Sequence, residues 1–180
     1  MSEFVDYAKD LMESAKGFAE KGRRESNSSL KQAYLRASLL HGFSFLEAHL
    51  NEISDHFHNK ETLTVHDMGV LLEREVRLSK GQFKLTTTPR FSRITDRIEI
   101  LLKNFSKDPI KSKGSWYSDL KSSLETRNKL VHPKEKHEIS HADVMRALRA
   151  IVDCIDALFQ AIFSKKFPYK GKSFEGGFSF

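Results

Sequence analysis

Between residues 35 and 57 the apolar side chains of Leu35, Leu39, Leu46, Leu50, Ile53 and Phe57 return at helical spacing, and Gly42 stands at the one step where an apolar residue is missing. Side chains three and four apart share a face at 3.6 residues per turn, so the spacing predicts one long amphipathic helix. A mid-helix glycine costs about 1 kcal/mol relative to alanine. Gly42 is therefore expected to mark a point where a second helix crosses closely. No stretch alternates as a strand would, the glycine- and aromatic-rich end of the chain excepted.

The same period recurs along the chain. Phe4, Ala8, Leu11, Ala15 and Phe18 predict a first helix ending near Gly22, and E-S-N-S-S at 25–29 reads as a capping loop. Thr64 and Asp67 form a capping-box pair, with Leu63 and Met68 at staple positions, and open a helix expected to run to about Leu78. Residues 79–90, ending in T-T-T-P-R, read as a basic loop. Ser92 is expected to cap a helix striped by Ile94, Ile98, Leu101 and Phe105, and a polar break follows at S-K-D-P-I-K-S-K-G-S. Trp116, Leu120, Leu124 and Val131 line the next helix, which Pro133 should stop at or before His132. Ser140 and Asp143 begin the last, striped by Val144, Leu148, Ile151, Ile155, Leu158 and Ile162. The expected fold is all-α: an up-down bundle over residues 1–163, with about 60–112 as a decorated insertion, and a basic, aromatic tail at 164–180.

The composition, with 39% hydrophobic and 30% charged residues among 180, is that of a globular domain and not of a disordered chain. No apolar run reaches the roughly 18 residues that span a bilayer. The first residues, M-S-E-F-V-D-Y-A-K-D, carry acids where a signal peptide has bases. Cys154 is the single cysteine, which excludes an internal disulfide and fits a reducing compartment. The expectation is a cytoplasmic protein with no membrane partner. The net charge of +6 is unevenly placed: residues 80–136 hold 14 Lys/Arg and 6 Asp/Glu, the remainder 16 and 18. That excess reads either as a solvated face or as a phosphate-binding surface.

Two chemical signatures meet in R-N-K-L-V-H-P-K-E-K-H-E-I-S-H, residues 127–141. The H-E-I-S-H at 137–141 has the zinc-protease pattern, which works only where both histidines share one helix face. Here Pro133 lies just upstream and Ser140 caps the helix that follows, leaving His137 and Glu138 in a loop. The downstream acids, Asp143, Asp153, Asp156 and Glu175, supply no evident third ligand, and the protease reading is rejected. No metal or cofactor is expected. The Arg-x4-His pattern occurs twice. Arg36 and His41 sit mid-helix beside Gly42 and read as a buried or rim histidine bonded to a neighbour. Arg127 and His132 lie about 140° apart on their helix, and Asn128 is within about 40° of His132. Leu120, Leu124 and Val131 point between Arg127 and Asn128, so these polar groups flank an apolar seam. Pro133 leaves His132 at an open helix end. Arg127 and Asn128 read either as catalytic groups or as ties between the seam and neighbouring backbone.

The stretch L-E-T-R-N-K-L-V-H-P resembles the signature helix of the HEPN (higher eukaryotes and prokaryotes nucleotide-binding) superfamily, with Arg, a following polar residue, and His a few positions on. L-R-A-S-L-L-H-G-F-S-F-L-E-A-H-L-N-E-I at 35–53 is similar to the long helix that precedes that signature. The likeness covers about residues 28–163. It implies a metal-independent endoribonuclease without cofactors that acts on single-stranded or loop RNA, in which the 2′-OH of RNA is the nucleophile. His132 would then move a proton, Arg127 would clamp the phosphate, and Asn128 would orient His132 or donate to a phosphate oxygen. Glu47, on the long helix, reads as a further acid/base or orienting group, or simply as an exposed helix carboxylate. Lys129, Lys134 and Lys136 are candidate RNA contacts. The resemblance also implies a homodimer with both signature helices in one cleft, and a role as a toxin or anti-phage effector with an antitoxin or regulatory protein as partner. The competing reading is a non-catalytic helical module that dimerises and scaffolds a partner. The tail, K-K-F-P-Y-K-G-K-S-F-E-G-G-F-S-F, suits stacking on unpaired bases, or docking in a groove of a partner or of its own bundle.

Overall fold

The computed structural model describes residues 3–57, 63–168 and 170. Its elements are α1 (Glu3–Arg24), α2 (Ser28–His56), α3 (Val65–Leu71), β1 (Arg74–Ser79), β2 (Gln82–Pro89), α4 (Ile94–Phe105), α5 (Pro109–Ser112), α6 (Trp116–Val131) and α7 (His141–Phe163). The molecule is a helical bundle with one two-stranded sheet as its only described β-structure.

Helix α2 is the spine. Asn27 caps it by accepting the Leu30 amide at 3.1 Å, and every member of its stripe from Leu35 to Phe57 is buried. Helix α1 runs back along α2, with Ala8, Met12, Ala15 and Ala19 in the contact and the Ser38 hydroxyl donating to the Ala15 carbonyl at 2.6 Å. Helix α1 ends near Gly22, as its spacing predicts. A Cβ there would stand 2.8 Å from Leu35 Cδ2, so this glycine lets the two helices approach, and the helix continues to Arg24.

Helix α7 closes the bundle against α2, α4 and α6. Its capping box is present as read: the Ser140 hydroxyl accepts the Asp143 amide, and the Asp143 carboxylate accepts the Ser140 amide. Gly42 marks the expected crossing, for a Cβ there would lie 2.5 Å from Leu148 Cδ2. The Thr64–Asp67 capping box also forms, with Leu63 buried beside it.

The insertion departs from expectation. Helix α3 ends at Leu71, not near Leu78, and residues 79–90 are not a loop. R-E-V-R-L-S pairs antiparallel with Q-F-K-L-T-T-T-P in the register Val76↔Leu85, Leu78↔Phe83 and Ser79↔Gln82. Lys80 and Gly81, with φ of 51° and 78°, make the two-residue turn whose twist suits a hairpin. Ser92 caps nothing: the N-cap of α4 is Arg93, without a side-chain bond, and the Ser92 amide instead donates to Glu73. The polar break at 106–115 contains the short helix α5, capped by Asp108.

Beyond α7, Ser164 turns the chain in the left-handed conformation, and the start of the tail docks on its own bundle. Phe167 is buried against Phe45, His49 and Phe159, its amide donates to Asp156 at 2.9 Å, and Lys170 reaches the same carboxylate at 2.6 Å. Stacking by the rest of the tail falls on 169 and 171–180, outside the described residues.

Candidate active site

Helix α6 ends where Pro133 was expected to end it. His132 is the C-cap, exposed, with its amide donating to the Asn128 carbonyl at 2.9 Å. The turn 127–132 forms one wall of a cleft of about 930 Å³. Glu47 and Asn51 of α2 face it, and the segment 91–97 leading into α4 completes it.

Arg127, Asn128 and His132, read as one set, and Glu47, read separately on the long helix, all line this cleft. Arg127 Nη2 donates to Glu47 Oε1 at 3.0 Å, and Nη1 donates to Asn128 Oδ1 at 3.2 Å. Glu47 is therefore not a free surface carboxylate. It holds one edge of the guanidinium while Asn128 holds another. Asn128 thus orients the arginine, and among the described residues no side-chain bond joins it to His132. Because Glu47 and Arg127 remain about a third exposed, at 39% and 27%, the pair adds at most about 1 kcal/mol to stability.

The lysine candidates divide. Lys129 and Lys134 line a second depression of about 330 Å³, together with Asn128, His132 and His137. His132 and Asn128 belong to both hollows and stand on the ridge between them. Lys136 lines neither and pairs with Glu138 at 2.7 Å.

The floor of the cleft comes from residues that no sequence pattern singled out. Arg97, only 3% exposed, donates through Nη2 to Asn51 Oδ1 at 2.7 Å and to Ser54 Oγ at 3.3 Å. Its Nη1 lies 3.7 Å from Glu73 Oε2. Burial pulls the Arg97 pKa below its ordinary value, while the charges of Glu73, Glu47 and Asp55 oppose that pull. An arginine stays protonated under such a pull, so the floor carries a fixed positive charge. Arg93 and Lys121 add cations at the wall, and Glu125 adds an acid. The one legible signal for these groups was the positive excess of residues 80–136, with Arg93 and Arg97 four apart at the start of a helix. Asn51 and Glu73 gave none.

The other Arg-x4-His copy lies elsewhere. Arg36 Nη2 donates to the His137 carbonyl at 3.0 Å, and His41 Nδ1 donates to the Ala37 carbonyl at 2.8 Å. The H-E-I-S-H residues do not share a helix face, since His137 and Glu138 precede α7 and His141 opens it. Among the described residues no group of three or more His, Cys, Asp or Glu is placed to hold a metal. No described helix is long and apolar enough to cross a membrane.

Neither a family model, nor a curated protein, nor a solved structure matches this chain.

Proposed function

We propose that this protein is a metal-independent endoribonuclease of the HEPN type. The observation that carries the reading is the convergence in one cleft of an exposed histidine at a helix end and an arginine held by Glu47 and Asn128. RNA brings its own nucleophile. In the proposed step the 2′-oxygen attacks the adjacent phosphorus, the bond to the 5′-oxygen breaks, and a 2′,3′-cyclic phosphate and a free 5′-hydroxyl result. An imidazole can take the 2′-OH proton or supply the one the 5′-oxygen needs. The Arg127 fork stabilises the charge that gathers on the phosphate oxygens. Glu47 serves as the orienting group of this fork.

Among the described residues of one chain a single histidine, His132, lines the cleft, whereas the reaction needs both a base and an acid. The proposed active unit is therefore a homodimer. The apolar seam of α6 supports it, since Leu124 and Val131 reach the cleft and Val131 is 41% exposed. A role as toxin or anti-phage effector, held by an antitoxin or other regulatory protein, follows from the resemblance alone, whereas a cytoplasmic location is proposed from the single cysteine and the acidic first residues.

Incubating the purified protein with total RNA in EDTA tests the reading. Cleavage by the wild type and none by His132→Ala is the expected result. Strict dependence on added zinc or magnesium overturns it. The Arg127–Glu47 pair also favours a second reading, in which it ties α6 to α2 in a non-catalytic scaffold.

A further inference from the structure

The geometry points to Phe91 as a stacking platform for an unpaired RNA base beside the reactive phosphate. This rests on the ribonuclease reading and adds to its single-stranded substrate a base contact at the cleft. Phe91 is 91% exposed, the most exposed large hydrophobic side chain among the described residues, and it lines the same cleft as Arg127 and His132. A lone exposed phenylalanine is ordinary; one whose backbone is clipped on both sides is not. The Arg90 amide donates to the Glu73 carbonyl at 2.8 Å, and the Ser92 amide donates to Glu73 Oε1 at 3.0 Å. One residue thus holds the chain just before and just after Phe91. Glu73 does so from the left-handed region, at φ 52°, a conformation that costs a non-glycine residue free energy. Its other carboxylate oxygen faces Arg97 at 3.7 Å, which fastens the clip to the cleft floor.

The surroundings suit a nucleotide. Arg93 and Lys121 line the cleft with Phe91 and have no acid within ion-pair distance among the described residues, Lys121 lying 5.9 Å from the centre of the Tyr117 ring, so they add cations for the backbone phosphates next to the one that Arg127 would clamp, while Arg97 is held by Glu73 in the floor. Glu125 is the remaining acid of the lining. A platform flanked by cations is how proteins hold single strands, because every base has a π-face, while a base inside a duplex offers none to a side chain.

The test uses the full chain carrying His132→Ala, which keeps bound RNA intact, and a fluorescein-labelled single-stranded RNA 12-mer in EDTA. Adding Phe91→Ala should weaken binding about tenfold, and Phe91→Trp should restore it. The loss should vanish for an oligomer with an abasic site at one position, and duplex RNA should bind equally to all three proteins. Phe91→Ala binding like its parent, or losing the same affinity for every abasic oligomer and for duplex, overturns the inference. Cleavage by protein with His132 intact is scored separately. Phe91-dependent binding without cleavage supports the platform and sinks the nuclease. Cleavage with Phe91-independent binding does the reverse, and the absence of both sinks both.

Discussion

Arg127 carries the decision between enzyme and scaffold, because its guanidinium is shared between a fold contact and a proposed transition-state contact. The fold contact is small: a partly exposed ion pair to Glu47 contributes about 1 kcal/mol or less. The transition-state contact, if Arg127 clamps the scissile phosphate, is larger, since losing one preorganised donor costs about 3–4 kcal/mol, or roughly 10²–10³ in rate. Arg127→Lys separates them. It keeps the charge and the apolar stem but loses the planar fork. The variant is expected to lose at least about a hundredfold in RNA cleavage while its melting temperature changes little. A lowered melting temperature with unchanged cleavage would instead make Arg127 a structural tie. Arg127, Asn128 and His132 were legible in the sequence because they lie within six residues of one helix, where spacing alone fixes their relative angles. Glu47 was legible only as a candidate. Arg97 showed only in the positive excess of its segment, and Asn51 and Glu73 not at all, because packing between elements far apart in the chain brings them together.

At the scale of elements, periodicity served where a helix buries one stripe and failed where a short element is mostly exposed. The stripe of α2 and the two capping boxes were readable because their signals are local. In the hairpin, Leu78 and Phe83 stay exposed, so β1 and β2 carry a diluted apolar pattern. The missed signal was chemical: Lys80-Gly81 between R-E-V-R-L-S and Q-F-K-L-T-T-T, where glycine takes positive φ freely. The α2–α7 crossing makes its own prediction. Gly42→Val should place a Cβ and two methyl groups against Leu148, a fully buried side chain, and lower stability by about 1–3 kcal/mol in a denaturant titration. An unchanged midpoint would mean that the crossing is looser than described. The docked tail predicts a pH dependence. Burial raises the Asp156 pKa, but Lys170 and the Phe167 amide outweigh it and hold the carboxyl below its ordinary value. The folded pKa is thus the lower one, so the contribution is complete above the unfolded value near 3.9 and is lost as pH falls through the folded value. Wild type should exceed Asp156→Asn in melting temperature at neutral pH, and the gap should close below about pH 4. A gap independent of pH would show that Asp156 acts by shape alone.

For the molecule as a whole, the question is whether one chain holds a complete site. Cyclising RNA needs a base to take the 2′-OH proton and an acid to protonate the leaving 5′-oxygen, and His132 is the one histidine among the described residues that lines the cleft. In a symmetric dimer the same surface meets itself, so each chain would supply its His132 and Arg127 to a shared site. Sedimentation should then show a dimer, and turnover per chain should fall when the protein is diluted through the monomer–dimer transition. Subunit mixing gives a sharper result. When wild-type chains exchange with a roughly tenfold excess of His132→Ala chains at saturating RNA, nearly every wild-type chain sits in a mixed dimer with one histidine. Activity per wild-type chain should drop by about tenfold, because only wild-type pairs keep both proton-transfer groups. A self-sufficient chain would be indifferent to its neighbour, and activity per wild-type chain would stay constant at every mixing ratio. That outcome would place the second proton-transfer group within the same chain, and Glu47, the acid that reaches the Arg127 fork, would be the first residue to substitute in search of it.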